Sequence, residues 1–307
     1  MDQIQRACLL RSLCFYEAIG YVPILSEWIQ NVQSSSDFST ACVDHVETLT
    51  VIIEGLVADG TVRCVRGRYG FSEQVEDITR KIEERDQFHA RKYRRARLVT
   101  RWLSFFSGVR FVALANTTAW GYASHTGDLD FFVIVRKGSI WQTRLFAVLP
   151  FKLLGWLPGP HERPDAVCLS YFVADDALDL TFHQISQTDL YYRHWFLALL
   201  PLYDDGISKE LWLHNKQIRQ HHPFARRWIV SPDLVVAQPL VRFPIFSFFE
   251  IIGRYFQQAW FPAAIRTLQN VDTRVIISDS TLKFHTDDAR DAIYKKYVGL
   301  LQKYGLA

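Results

Sequence analysis

Two aspartates separated by one residue, Asp128 and Asp130, head an unbroken apolar run, Phe131-Phe132-Val133-Ile134-Val135. Such a run reads as a β-strand, and residues two apart on a strand point to the same face. Both carboxylates therefore project together, and two like charges side by side repel unless a cation joins them. Mg2+ is the natural cation, a hard ion that takes one or two carboxylates together with substrate phosphates. A pair of such ions would serve in-line displacement at phosphorus. Upstream, a strand-like run at 110–115 ends in a small polar turn, Asn116, Thr117 and Thr118, whose backbone amides can hold phosphates.

The surrounding order is strand, turn, strand, an amphipathic helix at 139–154 carrying Arg144, and a third apolar strand at 166–173. That order predicts an α+β or α/β domain. From residue 188 onward the sequence reads as mainly helical and aromatic, closing with a helix at 287–304. No P-loop, dinucleotide-binding, zinc-protease or serine-hydrolase signature occurs, and no internal repeat.

Residues 1–75 read as a unit of their own. A helical period at 4–19 stops at Gly20 and Pro23, and a short helix covers 24–32. Asp44 and Glu47 begin a third helix, whose Val46, Leu49, Ile53, Leu56 and Val57 share one face. Asp59-Gly60 then turns the chain into two short strands, 61–65 and 69–72, joined by Arg66-Gly67-Arg68. Three helices followed by a basic hairpin is the layout of a winged helix. Such a unit either contacts DNA, with the third helix in a groove and the two arginines at phosphates, or packs against protein. No Lys or Arg lies between His45 and Asp59, which counts against base and phosphate contact by that helix.

Residues 76–107 read as a charge-dense connecting helix. Its second half, Arg91, Lys92, Arg94, Arg95, Arg97 and Arg101, carries no acid. This is either a solvated face between two domains or a basic surface for nucleic acid or nucleotide phosphates.

Composition narrows the class. The 307 residues are 14% aromatic with a net charge of +3, which excludes a disordered tail and a protein built throughout to coat nucleic acid. Cys8, Cys14, Cys42, Cys64 and Cys168 are odd in number and form no C-x-x-C pair, as expected for inert thiols in a reducing cytoplasm. Asp2, Gln3 and Gln5 follow Met1 where a signal peptide would carry bases and then an apolar stretch. The most apolar stretch, 240–265, is broken by Arg242, Glu250, Arg254 and two prolines, so it reads as a buried or interfacial helical segment and not a membrane span. The aromatic clusters at 243–249 and 255–261 read as core or as a dimer surface. His183, His194, His221 and His222 show no ligand spacing. Lys283, His285, Asp288 and Arg290 gather near a strand-to-helix junction, where they either dock an anion or pair structurally.

The segment VALANTTAWGYASHTGDLDFFVIV, from Val112 to Val135, resembles the nucleotidyltransferases of the DNA polymerase β-like superfamily. In that family an apolar strand, a Gly-Ser or Gly-Gly turn and a short connection precede Asp-x-Asp or Asp-x-Glu at the head of the next strand. The chain looks closest to a bacterial subgroup with an N-terminal winged helix. The matching features are Trp141 and Arg144, the strand Leu169-Ser170-Tyr171, Asp189 and Tyr191 on a helix ending in Pro201-Leu202-Tyr203, and the closing Leu282, Lys283, Phe284, His285, Asp288 and Arg290. The resemblance extends over most of the chain. It implies that Asp128 and Asp130 are catalytic and bind metal, and that Asn116, Thr117 and Thr118 face the nucleotide; Arg144 either contacts its phosphates or is a surface charge on an amphipathic helix. It further implies Mg2+ as cofactor and an NTP as substrate.

Two departures stand out. The family's Gly-Ser is Asn116-Thr117 here; asparagine tolerates a positive φ and threonine keeps a hydroxyl. The third carboxylate that active relatives carry on a later strand is missing from 166–173. Asp165 sits just before that strand, and Asp175, Asp176 and Asp179 lie beyond it.

The expected architecture is α+β. It comprises a winged-helix domain (1–75), a basic connecting helix (76–107), a polymerase β-like nucleotidyltransferase domain with a mixed sheet (108–200) and a helical C-terminal region (201–307). The expected function is Mg2+-dependent transfer of a nucleoside monophosphate from an NTP to a hydroxyl of a small molecule, protein or nucleic acid. The alternative is a catalytically degenerate nucleotide-binding protein, or a regulator that binds DNA or protein through its winged helix. A soluble cytoplasmic protein is expected in either case.

Overall fold

The computed structural model describes residues 2–33, 46–71, 74–159, 163–229, 232–244 and 246–307. Cys42, Ser72 and the expected capping residue Asp44 lie outside the described residues.

The N-terminal unit is built from α1 (Asp2–Ala18), α2 (Leu25–Gln30), α3 (Val46–Ala58) and an antiparallel hairpin, β1 (Arg63–Val65) with β2 (Arg68–Gly70). Leu49, Ile53 and Leu56 of α3 are buried, three of the five residues that the sequence spacing puts on one face, while Val46 is exposed and Val57 half-buried. The buried three meet Leu9, Leu13 and Trp28 in one core. The Trp28 indole N–H is satisfied there by the Leu9 carbonyl and the Ser12 hydroxyl, each at 3.0 Å. At the hairpin tip Arg66 and Gly67 both take positive φ, 51° and 76°, as a two-residue hairpin turn requires. Neither Arg66 nor Arg68 at the hairpin tip is free, whereas Arg63 of β1 is exposed. Arg66 pairs with Glu83, and Arg68 donates to the Val22 carbonyl at 2.9 Å and the Tyr21 hydroxyl at 3.2 Å.

Helix α4 (Val75–Ser104) is 30 residues long, about 45 Å. It leads into β3 (Val109–Leu114), the short α5 (Asn116–Ala119), β4 (Leu129–Val135), α6 (Ile140–Leu153) and β5 (Val167–Ala174). Then follow α7 (Leu190–Leu197), β6 (Leu200–Asp204), α8 (Ser208–His214), α9 (Lys216–Arg219), α10 (Ser247–Trp260), α11 (Ala263–Leu268), β7 (Val275–Ile277), β8 (Thr281–Phe284) and α12 (Arg290–Lys303).

One mixed sheet of six strands, in the order β6-β3-β4-β5-β8-β7, organises the rest. The β4–β5 pair is parallel and the others are antiparallel. Alternation along β3 and β4 divides the core in two. Val112, Leu114, Phe131 and Val133 face α4 and α6, with Leu103 and Trp141. Phe111, Ala113, Phe132 and Ile134 face α7, with Trp195 and Phe196. Helix α12 closes the molecule by packing Tyr297 and Leu300 on Cys14 and Phe15 of α1.

The structure departs from the sequence reading at 201–307. That region contributes β7, β8 and most of β6 to the central sheet, so it is not purely helical. Pro201-Leu202-Tyr203, expected at a helix end, lies within β6 after α7 has stopped at Leu197. These strands are three to five residues long, too short for a period of two to stand out from a helical one.

Helix α10 is inverted with respect to ordinary surface helices. Its polar and small residues face α6: the Glu250 carboxylate accepts from the Trp141 and Gln142 amides at 3.0 and 2.9 Å, and the Gln257 amide donates to the Trp141 carbonyl at 2.8 Å. A Cβ at Gly253 would stand 3.1 Å from that same carbonyl, so glycine permits the close crossing. Among the described residues no helix is long and apolar enough to cross a membrane.

Candidate functional site

Asp130 lies on the β4 face that carries Phe132 and Ile134, and Asp128 immediately precedes the strand. The structure couples this pair to the Asn116–Thr118 turn. The Asn116 side-chain amide donates to Asp130 Oδ2 at 2.9 Å, and its oxygen accepts from the Tyr191 hydroxyl at 3.3 Å. Thr118 Oγ1 donates to the Asp128 carbonyl at 3.1 Å. Asn116 has φ of 53°, the left-handed backbone that asparagine tolerates best after glycine. The turn forms the four-residue α5, whose first amides have no acceptor within the helix.

Both carboxyls are held above the usual aspartate range. For Asp128 burial is the larger cause and the Asp130 charge the second, with Lys92 opposing. For Asp130 burial outweighs the hydrogen bonds from Asn116 and Cys168, which favour the charged form. The contacts within the chain thus do not fully compensate the two charges.

Lys92 is fully buried beneath the loop that leads to Asp128, bonded to the Gly127 carbonyl and to Asp165 at 2.8 Å. Arg91 joins Asp165 at 2.6 Å, and Arg95 donates to the Asp165 carbonyl at 3.0 Å. The Asp165 carboxyl is held below its usual range by these bases despite its burial. Much of the expected basic surface on α4 therefore anchors loops, and Asp165 is occupied.

The position facing Asp130 on the neighbouring strand belongs to Cys168. One extra residue in β5 between Cys168 and Tyr171 forms a bulge, which shifts the side-chain alternation along that strand. The Cys168 thiol donates to the Ser170 hydroxyl at 3.2 Å, and that hydroxyl lies 3.2 Å from His285 Nε2. Burial and the Asp130 charge push the thiol pKa up, so it stays protonated. Asp175 is paired with Arg110 and Asp176 with Lys137, while Asp179 accepts from Thr181. Among the described residues no group of three or more His, Cys, Asp or Glu could hold a metal. The donors present fit one Mg2+ held by two carboxylates and completed by phosphate and water, not a pair of ions bridged by three carboxylates.

A cavity of about 260 Å³ is lined by Asn116, Asp130, Lys283, His285 and Arg290; Asp128 is not part of its lining. Lys283 is buried, donates to the Thr273 carbonyl at 2.6 Å, and has its pKa lowered to about 7 chiefly by that burial. Burial likewise lowers His285 to about 4. Arg290 is bonded to Asp288 at 2.6 Å and to Asp189 at 2.9 Å, the structural pairing that was one reading of this cluster.

Arg144 is not brought to the carboxylates. Its guanidinium donates to Gln257 at 2.6 Å and lies 4.5 Å from the centre of the Phe284 ring, with its pKa lowered to about 10 by burial. No hydrogen bond or ion pair joins it to Asp128, Asp130 or the turn. His183 and His194 are buried partners of Tyr171 and Asn31. Sequence reasoning missed Lys92 and Cys168. Lys92 keeps the helical spacing of the buried Ala96, Val99 and Leu103, so its burial did leave a signal in the sequence, whereas the place of Cys168 opposite Asp130 depends on strand register. No family model, curated protein or solved structure matches the chain, so the functional reading rests on the site itself.

Proposed function

We propose that this protein binds an Mg2+–nucleoside triphosphate and acts as a nucleotidyltransferase of the polymerase β-like type, passing a nucleoside monophosphate to a hydroxyl acceptor. One observation supports the reading: Asp128 and Asp130 form an under-compensated carboxylate pair fastened by hydrogen bonds to the Asn116–Thr118 turn. Asp128 and Asp130 would hold the ion, whose chemistry is to neutralise charge on the phosphate oxygens. Asn116 fixes the orientation of Asp130, and Thr118 fixes the turn to the chain at Asp128. Thr117 and its neighbours would offer amides to the phosphates.

A second reading, nucleotide binding without transfer, is favoured by Cys168 in the position facing Asp130. The α1–α3 and β1–β2 arrangement supports a winged helix. The engagement of Arg66 and Arg68 within the chain favours a packing role over DNA contact.

Calorimetric titration with Mg2+ and each of the common NTPs, followed by transfer assays on labelled acceptors, tests this. Asp128→Asn and Asp130→Asn should each weaken Mg2+–NTP binding by about tenfold or more, since a charge-assisted contact is worth roughly 1.5–3 kcal/mol. Binding unaffected by both substitutions overturns the proposal. Binding that depends on both, with no transfer to any acceptor, selects the second reading.

A further inference from the structure

The exposed face of α10 is apolar. Phe248, Ile251, Ile252, Tyr255, Phe256 and Trp260 recur at helical spacing, and Phe248, Tyr255 and Trp260 are 66%, 71% and 66% exposed. Glu250, Gly253 and Gln257 occupy the protein side, so the helix cannot turn its aromatic face inward without losing its contacts to α6. The end of α6 extends the surface with exposed Leu149, Leu153 and Leu154. Phe146 of α6 meets Phe249 edge to face at 5.5 Å, and both border an apolar cavity of about 460 Å³. Proteins that stay monomeric in water rarely leave a patch of this kind open.

Charge decides what covers it. Residues 139–159 and 240–271 contain one acid, Glu250, and it is turned onto the first amides of α6. The exposed charges around the patch are mainly basic, with Asp279 the acid that offsets one of them. Lys152 lies 5.3 Å from the centre of the Trp260 ring, Arg266 is solvent-facing, and Arg254 is paired with Asp279. A second copy would bring the same basic rim against this one. An anionic surface complements it, and tyrosine and tryptophan favour the headgroup level of a bilayer.

We propose that the face formed by α10 and the end of α6 docks on an anionic phospholipid bilayer, lying in the interface without crossing it. The full chain should float with vesicles of roughly seven parts phosphatidylcholine to three parts phosphatidylglycerol and lose most of that binding in high salt. Ile251→Asp/Tyr255→Asp should weaken flotation by about tenfold or more while leaving the circular dichroism spectrum unchanged, because both side chains are exposed. Lys152→Glu/Arg266→Glu should weaken it independently and leaves every apolar side chain in place. Equal flotation with pure phosphatidylcholine vesicles overturns the assignment, as does flotation with neither vesicle or flotation that both variants retain. A dimer in sedimentation velocity that Ile251→Asp/Tyr255→Asp dissociates, without vesicle binding by the wild type, assigns the face to a second copy instead.

Discussion

Arg290 and Asp189 form an ion pair at 2.9 Å whose side chains are 6% and 1% exposed, joining the start of α12 to the cap of α7. Asp189 also accepts from the Tyr192 and Ile185 amides, both at 3.0 Å. Breaking a buried pair by removing one partner leaves an uncompensated charge. Asp189→Ala should therefore cost about 3–5 kcal/mol in urea unfolding, with Asp189→Asn recovering part of the loss through the retained cap. A loss below about 1 kcal/mol would mean that Asp288 alone satisfies Arg290.

Asn116 does two jobs that substitutions can separate. Asn116→Gly keeps the positive φ and removes the amide, whereas Asn116→Ala removes the amide and strains the backbone. The alanine variant should be less stable than the glycine variant by about 1 kcal/mol or more in chemical denaturation. Both should lower Mg2+–ATP affinity to a similar extent, since both leave Asp130 without its partner. Equal stability of the two variants would show that the turn relaxes.

Lys283 should give the protein a distinctive alkaline stability profile. Its pKa falls from 10.5 to about 7 on folding, so between these values the unfolded chain binds more protons than the folded one. Stability therefore rises with pH across that window, and the cost of burying the charge is full below about 7. Urea midpoints of wild type and Lys283→Met from pH 6 to 9 should converge as the pH rises, the variant being the more stable at the acid end. Parallel curves would refute the assignment.

Cys168→Asp would place a third carboxylate opposite Asp130. Without divalent ions it should destabilise the protein by about 1–3 kcal/mol through added repulsion and burial. With Mg2+ the variant should gain more in melting temperature than the wild type, because an ion that binds only the folded state stabilises it by mass action. An equal Mg2+ response in both proteins would mean that Cys168 does not border the ion site.

Much of the central architecture was legible before any coordinates. Phe131–Val135 reads as a short buried strand and makes up most of β4, with Asp130 on it and Asp128 just before it. Asparagine tolerates a positive φ better than most residues, and Asn116 adopts one. Other features depend on contacts between distant segments. Lys92 shares the helical spacing of the buried Ala96, Val99 and Leu103, but its partner Asp165 is 73 positions away. The partner of Asp130 on β5 is set by a bulge, and one-residue shifts in register move a side chain to the other face. The apolar stripe of α10 has the spacing of a buried helix, but Glu250 and Gln257 bond to α6 and reverse its orientation.

Helix α4 has a mechanical consequence. Glu83, which holds the hairpin at Arg66, and Lys92, which holds the loop before Asp128, are nine positions apart on one uninterrupted helix, about 14 Å along its axis. No hinge lies between them. The hairpin and the loop that carries Asp128 are thus held to one rigid span, and they can separate only if the helix bends or one of these two contacts breaks.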